Sequence, residues 1–488
     1  MRFIIAAPAA LAFVVTGCLD LAKDFPAGGL GAGCDGDTDC NGGLVCVDAF
    51  CAGGGGEGEG EGEGEGEGEG EGEGEGEGEG EGDCFIGNLS SEDDSFDVGA
   101  DGPTCVEGNV TLGAGTNDSH LAALANVVWI EGALTVTNST IEQLSLPALE
   151  HVGSIQVGKI DYPASSAGSL ETSGNNNLTL ISMGALTLVD GEVEIAGNNL
   201  LADIELGQPL TPFAVGGSIV IANNAKLDGN NNIDGNDLND GGLTKMFVDQ
   251  VGACVIVLDN GYQPSPETDT ELVFHLPVLE TIGAGECPEI ARLIEGVDGL
   301  ADYVPNGSLF VGSFQLGSIQ FPTWIEAPKL QSVHGAISAN TSYLRDVAFP
   351  DLVEVGYLEF SNALEFFTAF SAPQLVEITG NRGPDDDEIV VRLYDNTSLV
   401  TLALPALTTV HGTLQLERLK LETMCGLKAL TLVTKNFELN EIPGVSIAGL
   451  EGLVVRGTVT GDVLDPTQAE AWQSGEFVDA MADDLCGP

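Results

Sequence analysis

Few side chains in this sequence are spaced to do chemistry, and the cysteines come first. Eleven are present, an odd number. Cys34, Cys40, Cys46 and Cys51 are separated by gaps of five, five and four residues in a stretch with almost nothing apolar to bury. Two disulfides are expected to hold that stretch together, as in small secreted modules. A zinc site is the alternative, disfavoured by the lack of paired Cys-x-x-Cys knuckles. Proximity in sequence pairs the rest as Cys84 with Cys105, Cys254 with Cys287 and Cys425 with Cys486, which leaves Cys18 over.

The oxygen ligands make one tempting constellation. Asn230, Asn232, Asp234 and Gly235 fall where a calcium loop carries positions one, three, five and six. Gly241 stands where the chelating Glu belongs, so Asp237 and Asp240 are the substitutes, and a solvated acidic loop is the plainer reading. No cofactor is expected, calcium at this loop being the one candidate. Glu192 and Glu194 have the look of a paired-carboxylate site, but alternating outward Glu on a solvated strand is far more common. His334 and His411 share one repeat position before Gly, and His151 lies near it, so repetition accounts for them better than a metal. Neither a Gly-x-Ser-x-Gly elbow nor a His-Glu-x-x-His pair is present. A polysaccharide lyase would need a basic residue beside acidic ligands, and only Arg392 is expected to face outward from a strand. The sequence points away from an enzyme.

What would position these residues is a repeat. Ala327-Pro328-Lys329-Leu330-Gln331-Ser332-Val333-His334-Gly335 recurs from Phe349, from Ala372 and from Leu404, with the prolines stepping by 22, 23 and 32 residues. A period in the low twenties predicts stacked coils. Pro suits a corner, and Leu and Val three residues apart point inward. Gly then bends the chain into a short alternating strand such as Thr413–Glu417, and the strands form one parallel ladder along one side. Looser copies run from Leu146 and Leu276. The eight Asn-x-Ser/Thr sequons, Asn138 and Asn396 among them, read more simply as turn asparagines that bond neighbouring coils.

The pattern Pro-x-Leu-x-x-Val-x-Gly-x-Leu-x-Leu resembles the receptor L-domain, the leucine-rich module of growth-factor receptor ectodomains. Cys105-Val106-Glu107-Gly108-Asn109-Val110 is similar to that module's Cys-x-x-Gly-x-Leu opening, with Val110 in place of Leu. The resemblance covers Cys84 to Glu441 and departs from the family in its long inserts, Lys159–Asn176, Lys226–Gly242, Cys254–Glu271 and Cys287–Pro305. It implies a mainly β, right-handed solenoid of L-domain-like or leucine-rich-repeat-like coils with a parallel strand ladder. It also implies binding of proteins, and some bacterial relatives are surface lipoproteins. The expected binding face is the exposed ladder, through Thr135, Gln156, Glu194, Ser338, Glu359 and Gln415.

Around this solenoid (83–464, with a break expected near 228–270) lie shorter pieces. Residues 1–17 carry Arg2 and an apolar run too short to span a bilayer, and read as an export signal. The end Val15-Thr16-Gly17-Cys18 resembles a bacterial lipobox, making Cys18 the lipid-bearing residue; Leu19 after it implies the outer membrane of a Gram-negative cell. A short tether (18–33) and the cysteine module (34–52) precede a strict Glu-Gly stretch (53–82). Its charge repulsion and glycines predict a disordered stalk, on the order of 30 Å in mean span. That stalk supplies 13 of the 76 acidic residues, and the net charge of −61 excludes nucleic acid and disfavours anionic membrane as a partner. Membrane contact is expected through the lipid alone, and an unidentified protein or glycan is the expected ligand. Asp465-Pro466 starts a predicted capping helix over 465–488.

Overall fold

In a computed structural model, the chain divides into two units, Met1–Gly78 and Glu79–Pro488. The structure describes 44–47 and 50–53, and from 84 to 474 all residues except 93–95, 97–101, 161–171, 228–241, 259, 261–271, 289–307, 313–322, 341–343, 364–366, 381–388, 448, 451, 463 and 465. In the first unit, strands Leu44–Val47 and Phe50–Gly53 pair antiparallel, with Cys46 opposite Cys51. Cys18, Cys34, Cys40 and Cys486 lie outside the described residues, as do the export signal, the tether, nearly all of the stalk and the calcium candidates Asn230, Asn232, Asp234, Asp237 and Asp240.

The second unit is mainly β and is dominated by a large parallel sheet. The single ladder expected from sequence is in fact three. In the first, Val106, Ile130, Val152, Val189, Val215, Val251, Ile282, Val333, Val355, Ile378, Val410, Val433 and Val455 stand in one register column. All are buried. β-branched side chains pack well on a pleated sheet, so one Val or Ile per turn of chain builds a continuous strip of core. The second ladder follows the bend and points residues such as Leu134, Ile155, Val193, Leu358 and Leu414 into the same core.

Four long strands, Trp129–Val136, His151–Val157, Ser332–Asn340 and Glu354–Ser361, belong to both ladders. Their shared membership, rather than pairing of the first strand with the last, closes the strand connectivity. The third ladder comes in two parts, one of four strands from Gln143–Ser145 to Gly242–Met246 and one of five from Leu272–His275 to Thr401–Ala403. The first two ladders run through that interruption unbroken.

The repeat's Pro-x-Leu corner is a tight turn. Leu330 N–H donates to Ala327 O, Leu352 to Phe349 O, Leu375 to Ala372 O and Leu407 to Leu404 O. The Gly at the bend also answers to packing. A Cβ on Gly153 would come 2.3 Å from Glu131 O, and one on Gly356 would come 2.3 Å from His334 O. At these two positions the close approach of the preceding turn of chain requires glycine, whereas Gly380, in the same place of its repeat, also takes a left-handed φ of 69°.

A second repeated corner was only partly legible. Asn175, Asn198, Asn224 and Asn260 form a buried column. The N–H of Asn175 donates to Asn198 Oδ1, that of Asn198 to Asn224 Oδ1 and that of Asn224 to Asn260 Oδ1, each at 3.0 Å. Their amides donate in turn to Val136, Val157, Ile195 and Ile221 carbonyls. A single Asn thus satisfies backbone groups on two turns of chain that burial would otherwise orphan. Asn396 plays this part later, accepting from Ala363 N–H and donating to Phe360 O. Of the sequon asparagines, Asn138 adopts the left-handed conformation (φ 53°), and Asn109 bonds both its neighbours, as turn residues should.

The helix Pro466–Ser474 begins at the expected proline and buries Trp472 against Phe437, ring centroids 5.7 Å apart. No helix of the described residues is long and apolar enough to cross a membrane.

Candidate functional site

Strand alternation sends every second residue of the second ladder outward. All six predicted face residues fall in one register column there. It runs Thr111, Thr135, Gln156, Glu194, Val220, Ile256, Phe310, Ser338, Glu359, Arg392, Gln415, Glu438, Thr460. Sharing a column does not make them equally accessible. Thr135, Gln156, Glu194 and Gln415 are half-buried, but Ser338 and Glu359 are each only 2% exposed. The expectation that these two face solvent is therefore corrected.

The reason lies in the middle of the column. Val220, Ile256 and Phe310 point away from the core and are buried nevertheless, in a set separate from the core cluster. The runs Ile219–Ala222 and Val255–Leu258 are apolar at every position, the signature of a strand covered on both faces. Ser338 and Glu359 follow directly in the column. At its other end, Glu194 carries part of an insert. Lys159–Ile160 pairs with Thr172–Ser173, the Ile160 N–H donates to Glu194 Oε1 at 2.8 Å, and the Asn223 amide reaches Thr172 Oγ1 at 2.7 Å. Burial pushes the Glu194 carboxyl above its ordinary value, and Glu192 adds to the shift.

Chemistry gathers at the last turns of the second ladder. Glu359 meets Arg392 across one rung, Oε1 to Nη1 at 3.6 Å. Two residues along the strand, Tyr394 lies under Arg418, whose guanidinium carbon is 4.3 Å from the ring centroid; that of Arg392 is 5.4 Å away. Arg418 Nε is 2.8 Å from Asp395 Oδ1 and 3.7 Å from Glu417 Oε1, charge contacts in which the N–H is not aligned on either oxygen. Desolvation raises the carboxyls of Asp395 and Glu417 from their ordinary values, and the Glu441 charge raises both further.

Three members of this group sit in strained backbone. Asp395, Arg418 and Glu441 have φ of 56°, 53° and 52°. Each follows the end of a second-ladder strand, the place taken by Gly158, Gly197 and Asn223 in earlier turns of chain. The arrangement offers closely set charges of both signs on a rigid sheet. Among the described residues, no group of three or more His, Cys, Asp or Glu could hold a metal.

Sequence reasoning placed Arg392 outward and missed Tyr394, although the alternation Arg392-Leu393-Tyr394 signals it. Two of the disulfides expected from spacing are formed. Cys84 is bonded to Cys105 and Cys254 to Cys287, and Cys425 is also disulfide-bonded. No protein-family model, characterised protein or solved structure matches this chain.

Proposed function

We propose that the parallel ladders are rungs of one right-handed, L-domain-like solenoid, displayed at the cell envelope to bind a protein or glycan. In this reading Cys18 carries the lipid, the Glu-Gly stalk holds the solenoid clear of the outer membrane, and the second ladder's last turns recognise the ligand. Binding without turnover is the activity proposed.

The observation that carries this reading is the column Arg392, Gln415, Glu438, Thr460, flanked by Tyr394 and Glu417. Polar groups repeat there at the ~4.8 Å rung spacing of a sheet, backed by a buried apolar column, so little entropy is lost when a ligand engages them.

The test uses cells producing the full chain, with adhesion to host or neighbouring cells as the readout. The triple variant Arg392→Ala, Gln415→Ala, Glu438→Ala is expected to lower adhesion about tenfold, the cost of a few lost charge-assisted contacts. Unchanged adhesion at equal surface display would move recognition off this ladder. Cys18→Ala is expected to release the chain from the membrane fraction, and retention there would overturn the anchor.

A further inference from the structure

A different patch, on the first ladder near its beginning, carries another kind of chemistry. Its outward column reads Cys105, Trp129, His151, Leu188. Trp129 and Leu188 are half-buried there rather than drawn into the core, and the adjoining Val128 is 37% exposed. On a chain of net charge −61 this is apolar surface on two rungs, with His151 on the rung between them. The Trp129 and His151 rings are 6.2 Å apart between centroids and tilted by 40°. His151 Nε2 is 2.7 Å from Asp190 Oδ2, brought in from 39 residues away, and both side chains reach solvent. The disulfide Cys84–Cys105 braces the rung before Trp129.

We infer that Trp129, Leu188 and the His151–Asp190 pair form a binding site for a neutral oligosaccharide. An indole and an aliphatic side chain offer the flat apolar surface that the C–H face of a pyranose covers, while a His–carboxylate pair supplies a donor and acceptors for ring hydroxyls. From Trp129 to Leu188 is two rungs, about 10 Å, the length of a disaccharide. Glu131, Glu150 and Glu192, exposed and within two residues of Trp129, His151 and Asp190 in the chain, repel uronates and sulfated sugars, so the ligand is uncharged. A second His–carboxylate pair, His411 with Glu377, lies on the same ladder beside Thr409 and Leu432 with no aromatic on those rungs, and serves as an internal control. This site stands apart from the second-ladder surface proposed above.

The full-length chain is tested on an array of neutral hexose and N-acetylhexosamine oligosaccharides, with uronate oligosaccharides and a hexalysine peptide alongside. Wild type is expected to bind neutral sugars, Trp129→Ala to lose about tenfold or more in affinity, and Asp190→Asn about fivefold. Trp129→Phe should stay within about threefold of wild type, since a phenyl ring keeps the apolar face. Glu377→Gln should bind sugar as wild type does, and the adhesion assay of the second-ladder triple variant reads that surface separately, so failure of either site is distinguishable. If Trp129→Ala lowers the melting temperature, Asp190→Asn and Trp129→Phe decide the matter. The proposal is overturned if wild type binds no neutral sugar, if neither Trp129→Ala nor Asp190→Asn weakens binding, or if the ligand lost with Trp129 is uronate or hexalysine.

Discussion

Two stretches of the same corner show how differently this chain uses one backbone shape. In the earlier turns the left-handed residue at the end of the second-ladder strand is Asn138, Gly158, Gly197 or Asn223, and members of the asparagine column, Asn198 and Asn224, follow the last two. In the last three turns the left-handed residue is Asp395, Arg418 or Glu441, and the residues behind are Asn396, Leu419 and Ile442. Glycine and asparagine adopt this conformation readily, whereas for most L-residues it costs roughly 1–2 kcal/mol. The first stretch is built for stability. The second gives some up to hold charged side chains at a fixed corner, which is where strain usually marks function.

The largest effect that could break this comparison is in the asparagine column. Asn198→Ala would leave the Asn175 N–H and the Val157 carbonyl buried without their partner, and take a second acceptor from the Asn175 side-chain amide. At about 1–3 kcal/mol per orphaned group, a loss of about 4 kcal/mol is expected in urea unfolding. Asn396→Ala strands only the Ala363 N–H and the Phe360 carbonyl, with no asparagine on the next turn, and should cost about 3 kcal/mol. Equal and negligible losses at both sites would sink the idea that the column is structural.

The strained corner should respond in the opposite direction. Glu441→Gly removes a left-handed non-glycine and the charge that crowds Asp395 and Glu417, so stability is expected to rise by about 1 kcal/mol despite the added unfolded-state entropy. The same substitution at Asn138, exposed and already content at φ 53°, should change stability by no more than about 0.5 kcal/mol.

Smallest is the effect of pH. Asp395 and Glu417 have carboxyls raised in the folded state, so the native chain holds those protons more tightly than the unfolded one. Their contribution favours folding below the ordinary carboxylate range and is lost as pH climbs through it, from about pH 4 upward. Glu441→Gln should flatten that decline in a series of melts at constant ionic strength. An unchanged slope would mean that burial alone, the first cause of both shifts, sets them.

What the sequence determined by itself is the inward half of the molecule. Leu, Val and Ile at fixed offsets from each proline select the buried columns, because alternation along a strand decides which side a residue takes and burial rewards only apolar groups there. The disulfides Cys84–Cys105 and Cys254–Cys287 were legible as spacings, but they join residues 21 and 33 apart, and Cys84 meets Cys105 because their strands pair in register. Tertiary structure alone decided the outward half. Ser338 and Glu359 alternate outward like Gln415 yet are buried, since the pleat fixes a direction and says nothing of what lies over it. Trp129, His151 and Asp190 meet only because separate turns of chain stack in register, and a separation of 39 positions between His151 and Asp190 carries no trace of a 2.7 Å contact.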